Sequence, residues 1–375
     1  MRVALITEPG TGGVGRHVID LAVGLAQRDV DVHVYCGRER IGSELPSRFE
    51  ANGVRFTPLD DLKRSLGAHD ARAWKTLGAR LRRDGPFDII HSHSSKAGAL
   101  ARVLPVPGVR VHTPHAYAFV DPAASGKARA IYRGLESGLA LFTHHTVAVS
   151  ADEARQAKSL PFMARKVRVI RNGLPSLPFG DRAAMRAKLE LPEDAFVVGF
   201  VGRLSEQKRP LRFVEALAIA HALEPRTRGV LIGTGEQHDA VRELIEARGL
   251  TNVVRAFESD VAWSFMPAFD VFALTSAYEG LPYVLLEAQQ AGLPTVADAV
   301  GGAIELVGEP DAGVVLPFEA SASDFAEALI AISRDPDQRR RYAEGALCTA
   351  RQYTIDRMME DILELYRSIA VARSI

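Results

Sequence analysis

Short apolar runs alternate with stretches of helical period along the whole chain. Residues 2–6 form the first run, a glycine-rich turn follows, and 14–27 carry apolar positions at helical spacing. Further runs stand at 30–35, 87–91, 109–112, 146–149 and 167–170, with helical stretches between them. This alternation predicts a parallel sheet covered by helices on both faces. The segment 172–194 breaks the rhythm with three prolines and precedes a fresh run at 196–201, so a domain boundary is expected here. Runs at 229–232, 253–256, 271–274 and 295–297 repeat the first logic, and 355–370 reads as a helix. The expected fold is α/β, with two doubly wound Rossmann-like domains facing each other across a cleft. Their expected bounds are 1–180 and 181–352, with 353–375 a C-terminal helix packing back toward the first domain. Ligands of such sheets bind outside the carboxyl ends of the strands, which is where candidate chemistry is sought.

Composition narrows the class. The 375 residues, 47% hydrophobic and 25% charged, suit a soluble globular chain of two or three domains and exclude disorder as the dominant state. Two cysteines, Cys36 and Cys348, cannot form a disulfide framework, which points to a reducing compartment and a cytoplasmic protein. No apolar run approaches the ~20 residues that span a bilayer, and the N-terminus reads as a strand rather than a signal peptide. The zero net charge divides unevenly. Residues 1–180 hold 26 Lys+Arg against 16 Asp+Glu (+10), and 181–375 hold 20 against 30 (−10). Halves of opposite sign suit different partners, the basic one an anionic lipid, a phosphorylated acceptor or nucleic acid, unless the charges merely decorate solvated faces.

Four groups of residues carry candidate chemistry. Gly10-Thr11-Gly12-Gly13-Val14-Gly15 fits G-x-G-x-x-G after the first strand, but the second strand runs into Tyr35-Cys36-Gly37 without the acid a dinucleotide ribose needs. Close approach of an anionic group to Gly12 and Gly13 at the helix start fits better. Arg203 and Lys208 follow the strand 196–201, and two cations there suit a diphosphate and charge developing on a leaving group. Glu279 stands just before a helix expected to begin at Pro282 and to end at Gly292, and Glu287 in its second turn. Glu279 is suited to sugar hydroxyls and Glu287 to a ribose diol, whereas a glycosidase pair is disfavoured by the cations beside them. His91 and His93 point to one face of a strand end, and with His112 and His115 they could form a zinc set, although no cysteine or carboxylate supports one. His115 is also placed to hydrogen-bond a sugar hydroxyl, and Lys96, at a helix start, to meet an acceptor phosphate. Separately, residues 62–83 carry seven cations against Asp70, with Trp74, Leu77 and Leu81 at helical spacing, as on a helix lying on anionic lipid or an ordinary packed surface helix.

The ordered set resembles the family-4 glycosyltransferases, retaining enzymes of the GT-B fold. Gly12-Gly13 resembles their N-terminal glycine loop, and Gly202-Arg203 with Lys208 their donor-phosphate motif. Ser276, Glu279-Gly280-Leu281-Pro282, Glu287-Ala288 and Gly292-x-Pro294 resemble the E-x7-E signature, followed by Val300-Gly301-Gly302 and Glu305. The stretches 88–98 and 112–119 look like a bacterial branch that builds polysaccharide or cell-envelope glycan on lipid-linked acceptors at the inner membrane face. The resemblance implies a metal-independent hexosyl- or N-acetylhexosaminyl-transferase with no cofactor. It implies a nucleotide-sugar donor (UDP-sugar favoured over GDP-sugar) in the second domain and a glycan acceptor in the first. Donor residues would be Gly12, Gly13, Arg203, Lys208, Glu279, Gly280, Leu281, Pro282 and Glu287. Acceptor residues would be His91, His93, Lys96 and His115, and catalysis would fall to His115, Arg203, Lys208 and Glu279. Peripheral contact with anionic membrane is an expected partner interaction, and nucleic acid is not. Three positions depart from the pattern: Ala116 where glycine is common, Glu236 directly after Gly235, and Glu258 after Phe257, near the expected nucleobase loop. Two other functions share such an architecture, a nucleotide-sugar epimerase and a non-catalytic sugar-nucleotide-binding module.

Overall fold

A computed structural model describes residues 1–42, 45–318 and 320–373. The chain divides into two compact units, one of Met1–Gly173 with Ile355–Ile375, the other of Leu174–Thr354. The first holds seven parallel strands: β1 (Arg2–Thr7), β2 (Asp31–Gly37), β3 (Arg55–Leu59), β4 (Ile89–His93), β5 (Val109–Thr113), β6 (His145–Ala148) and β7 (Val167–Val169). Their order is β3-β2-β1-β4-β5-β6-β7. The second holds six: β8 (Phe196–Val201), β9 (Thr227–Ile232), β10 (Val254–Phe257), β11 (Val271–Leu274), β12 (Thr295–Asp298) and β13 (Gly313–Leu316), in the order β10-β9-β8-β11-β12-β13. Both are doubly wound, Rossmann-like sheets. In each the strand order reverses once, between β1 and β4 and between β8 and β11. Loops leaving those strands diverge at a crevice, which makes the carboxyl ends of these four strands the natural ligand sites.

The central strands form because they are apolar and buried on both faces; β1, β4 and β11 are buried almost throughout. The strands the apolar runs did not mark, β3 and β13, are sheet edges. β3 includes Pro58, which an edge tolerates.

The last helix, Ile355–Arg373, is part of the first unit's core. Met359, Ile362, Leu365 and Tyr366 are fully buried with Val18, Leu21 and Leu25 of the helix Gly12–Ala26. Burial of each large side chain contributes about 1.5–3 kcal/mol. Gly24 permits the contact, since a Cβ there would lie 2.7 Å from the Met359 sulfur. The division of the chain lies at Gly173/Leu174 and Thr354/Ile355, not at 180/181 and 352/353. The reason is local: Leu174 bridges Thr354, and its N–H donates to the Tyr353 carbonyl at 3.0 Å, so both strands of the crossover end together.

The amphipathic stretch 62–83 is corrected by the structure. Its helix, His69–Asp84, buries Ala73, Leu77 and Leu81 in the sheet-packing core, with Trp74 partly buried beside them. The apolar stripe is therefore committed to the protein interior and is not available to lipid.

Candidate active site

In the second unit, the loops leaving β8 and β11 are tied to each other. Arg209 adopts a left-handed conformation (φ 50°) before Pro210 opens the helix Pro210–Leu223. That turn brings residues 207–209 against 275–278. The Ala277 N–H donates to the Gln207 carbonyl at 2.7 Å, Gln207 Nε2 donates to the Tyr278 carbonyl, and the Thr275 hydroxyl donates to the Lys208 carbonyl. Lys208 Nζ then meets Glu279 Oε1 at 2.6 Å, with the side chains only 18% and 9% exposed. A charge-assisted bond of this length in a shielded place is stronger than a surface ion pair. Arg203 lies exposed on the same loop.

Glycines hold the backbone around Glu279. Gly301 has φ 49°, and a Cβ there would lie 2.3 Å from the Glu279 carbonyl oxygen; the Gly302 N–H donates to the Gly280 carbonyl at 2.8 Å. The pair Gly301-Gly302 thus packs directly beneath 279–280, a close approach only glycine allows. The helix Tyr283–Gln290 starts one residue later than expected, with Pro282 as the residue before it, and no acid stands in the first turn. Gly292 ends the helix with φ 66°, its N–H bonded to Gln289 and that of Leu293 to Ala288. Glu287 is half-buried one turn into this helix.

In the first unit, Gly12 and Gly13 are exposed where the helix Gly12–Ala26 begins, after β1. Gly15 is needed for the turn itself, because a Cβ there would sit 2.4 Å from the Gly10 carbonyl carbon. Beside this loop is an array of histidines. His93 ends β4, and its Nδ1 lies 3.2 Å from Nε2 of His115. His17, on the helix after the glycine loop, packs its ring edge-on to His115 with centroids 4.6 Å apart and 5.3 Å from His93. His91 packs against His93 with ring centroids 4.2 Å apart and planes tilted by 35°. Burial, then repulsion among the rings, holds His91, His93 and His115 well below the usual imidazole range. Burial lowers His17 to about 4 against a weaker pull from Asn172. All four are neutral at pH 7.

Three expectations for this unit are corrected. His91 is a core histidine, with Nδ1 2.6 Å from the Tyr366 hydroxyl and Nε2 2.8 Å from the Thr113 hydroxyl, so neither nitrogen is offered to an acceptor. Lys96 does begin a helix, Ser95–Arg102, but its ammonium pairs with Asp70 at 2.6 Å and bonds the Ser65 carbonyl, so it is not held out for a phosphate. His112 points away from the array into a contact with Ser92, under Gly98, and His17 stands in its place.

Residues absent from the sequence reading position His115. His115 and Ala116 have φ 55° and 79°, left-handed values that cost a non-glycine residue roughly 1–2 kcal/mol each. The buried Glu153 holds them: Oε1 accepts from the Ala116 N–H at 2.6 Å and Oε2 from the Val149 N–H at 2.8 Å. Burial pushes this carboxyl up to about 7, against the pull of both backbone bonds. Ala116 is thus a strained residue at the position where glycine is common. The only available signal for His17 was its place one helical turn after Gly13.

Comparison with known proteins agrees with the two-unit layout. The model of Glycosyltransferase Family 4 matches residues 11–176, and that of Glycosyl transferases group 1 matches residues 181–347. A D-inositol 3-phosphate glycosyltransferase of Actinosynnema mirum is 31% identical, covering 96% of this chain and 94% of its own. An Escherichia coli UDP-Gal:alpha-D-GlcNAc-diphosphoundecaprenol alpha-1,3-galactosyltransferase is 32% identical over 66% of this chain and 67% of its own. The fold matches the crystal structure of Anabaena HepE in complex with UDP-glucose, with TM-score 0.81 and 22% identity over 98% of this chain and 100% of that one. The paired parallel sheets, the switch-point loops and these relatives agree: the chain belongs to the family-4 glycosyltransferases of the GT-B fold.

Proposed function

We propose that the protein transfers a hexosyl or N-acetylhexosaminyl group, with retention of configuration, from a nucleotide-diphosphate sugar to a hydroxyl of a glycan acceptor. A UDP-sugar is favoured over a GDP-sugar, and a lipid-linked acceptor in cell-envelope glycan or polysaccharide synthesis is the acceptor class. The observation that carries the reading is the shielded Lys208–Glu279 pair at the β8/β11 switch point, beside a helix start free of acidic residues. A diphosphate bound there competes with Glu279 for the Lys208 ammonium. Its arrival frees the Glu279 carboxylate to accept from the sugar hydroxyls, so one exchange of partners orders both ends of the donor. Arg203, Lys208 and the helix N–H groups then hold the charge that grows on the departing diphosphate, without a metal ion at that position. A leaving-group oxygen takes the proton of the incoming hydroxyl, so no dedicated base is needed. His115, neutral and partnered by His93, is suited to bond a hydroxyl of the sugar rather than an anion. The Escherichia coli relative, named for a UDP-sugar donor and a diphosphoundecaprenol-linked acceptor, supports the donor and acceptor classes.

The test is a thermal-shift screen of nucleotide sugars followed by turnover with and without a lipid-linked glycan. A stabilising donor, consumed only with acceptor and giving product of unchanged anomeric configuration by NMR coupling, is the expected result. Turnover without acceptor would indicate an epimerase, and binding without turnover a non-catalytic module.

Membrane contact, if made by the first unit, has a better candidate than residues 62–83. The helix Gly126–Leu139 and the turn after it expose Ile131 (53%), Leu135 (58%), Leu141 (62%) and Phe142 (52%). Lys127, Arg129 and Arg133 are exposed on the same helix, and its one acid, Glu136, is buried in a bidentate pair with Arg102. Apolar side chains with cations and no exposed acid suit an anionic interface. No helix among the described residues is long and apolar enough to cross a membrane. Flotation with anionic vesicles at low salt is expected to carry the protein upward, and Ile131→Glu/Leu135→Glu to abolish this; sedimentation of the wild type would remove the idea.

A further inference from the structure

We propose that His17, His93 and His115 form a binding site for a borderline-soft divalent transition-metal ion of the Zn²⁺ class. One ring nitrogen of each lies within 4.8 Å of those of the other two. The 3.2 Å between His93 Nδ1 and His115 Nε2 matches the separation of roughly 3.3 Å that two bonds of about 2.0–2.1 Å impose at a tetrahedral centre. His17 supplies the third ring nitrogen.

The surroundings favour a cation over other ligands. Two imidazoles facing each other share one proton between two nitrogens, and His93 Nε2, buried, has no partner among the described residues. A dication takes lone pairs from each ring without asking any ring to donate. The His17 ring is held from behind, where Nδ1 donates to Asn172 Oδ1 at 3.0 Å. An outer partner of this kind is a regular feature of histidine metal ligands. Three imidazoles with no carboxylate suit Zn²⁺, Co²⁺ or Ni²⁺ and not Mg²⁺ or Ca²⁺. The site is therefore not a counter-ion site for a diphosphate. Because it uses the His115 ring assigned above to a substrate hydroxyl, the ion would compete with that contact, but its binding does not depend on the transfer reaction.

The experiment reads binding alone, in tag-free protein without substrate. Titration with Co²⁺ is expected to produce the visible d–d bands of a tetrahedral centre at one equivalent, bleached by Zn²⁺ and unaffected by excess Mg²⁺. His115→Ala, at a half-buried turn, should abolish the bands in folded protein. Asn172→Ala should weaken Co²⁺ binding about 10–100-fold, the usual effect of losing an outer partner. No tetrahedral band in the wild type, or a band that persists in folded His115→Ala, would overturn the assignment. Neither result bears on whether the enzyme transfers sugar.

Discussion

Lys208→Ala and Arg203→Ala are each expected to lower turnover by about 10²–10³ while leaving the protein folded. The figure follows from where the two cations stand. Both leave the carboxyl end of β8, and Lys208 stands where that loop is locked to the loop after β11, so its position is set before any substrate arrives. Charges fixed in advance stabilise developing negative charge without reorganising, which is why losing one such donor is felt mainly in kcat. The two variants should differ in a second respect. Lys208 is paired with Glu279 in a shielded place, so its removal leaves a carboxylate without its cation. Lys208→Ala should therefore also weaken donor binding, and Lys208→Ala/Glu279→Gln should recover some fold stability without recovering activity. Arg203 is exposed, and its loss should cost less stability than that of Lys208. Steady-state kinetics with a donor found by thermal shift, beside urea melts, measures both. Turnover within a few-fold of wild type in either single variant would remove the diphosphate role.

How much of this was legible in the sequence depends on how far apart the partners lie. Central strands such as β1 and β8 announce themselves as apolar runs, and parallel connection puts every loop that follows a strand at one edge. That alone places Lys208 near Glu279, although 71 positions separate them. The edge strand β3, RFTPL, carries little apolar signal, and Pro58 argues against a strand unless its place at the edge is known, whereas β13 is a run of only three apolar residues, Val314–Leu316, after a glycine. The helix His69–Asp84 shows the limit of amphipathic pattern: Leu77 and Leu81 look the same from sequence whether they face lipid or a sheet, and only their burial decides. Histidine spacing correctly put His91 and His93 on one face, but could not say that Tyr366 and Thr113 would consume both nitrogens of His91. His17 meets Asn172 across 155 positions, and Glu153 meets Ala116 through the backbone, which leaves no mark in side-chain pattern.

Glu153 gives the second large effect, and its sign is opposite for stability and for activity. Burial raises its folded pKa from 4.5 to about 7. A group raised in this way contributes stability that is fully present below its unfolded pKa and is lost as pH rises through the folded value. The wild type should therefore lose about 2–3 kcal/mol between pH 5 and 8 from this carboxyl alone. The histidines run the other way: their folded pKa values are depressed, so their contribution is present above about 6.5 and falls away in acid. The two trends overlap, and the difference between wild type and Glu153→Gln separates them, since the amide does not titrate. At pH 5 the protonated acid and the amide each offer one acceptor and one donor group, and the two proteins should melt alike. By pH 8 the gap should move by about 2–3 kcal/mol in favour of the variant. Activity should show the reverse. Only the ionised carboxylate accepts from both Ala116 and Val149, and those two bonds hold His115 in its left-handed turn. Wild-type turnover should rise through pH 7 where that of Glu153→Gln stays flat, which makes Glu153 a positioning residue whose charge trades stability for a fixed imidazole. Paired urea melts and kcat profiles from pH 5 to 8 read both. A stability gap that does not change with pH would show that the carboxyl titrates normally and that the turn is held by other contacts.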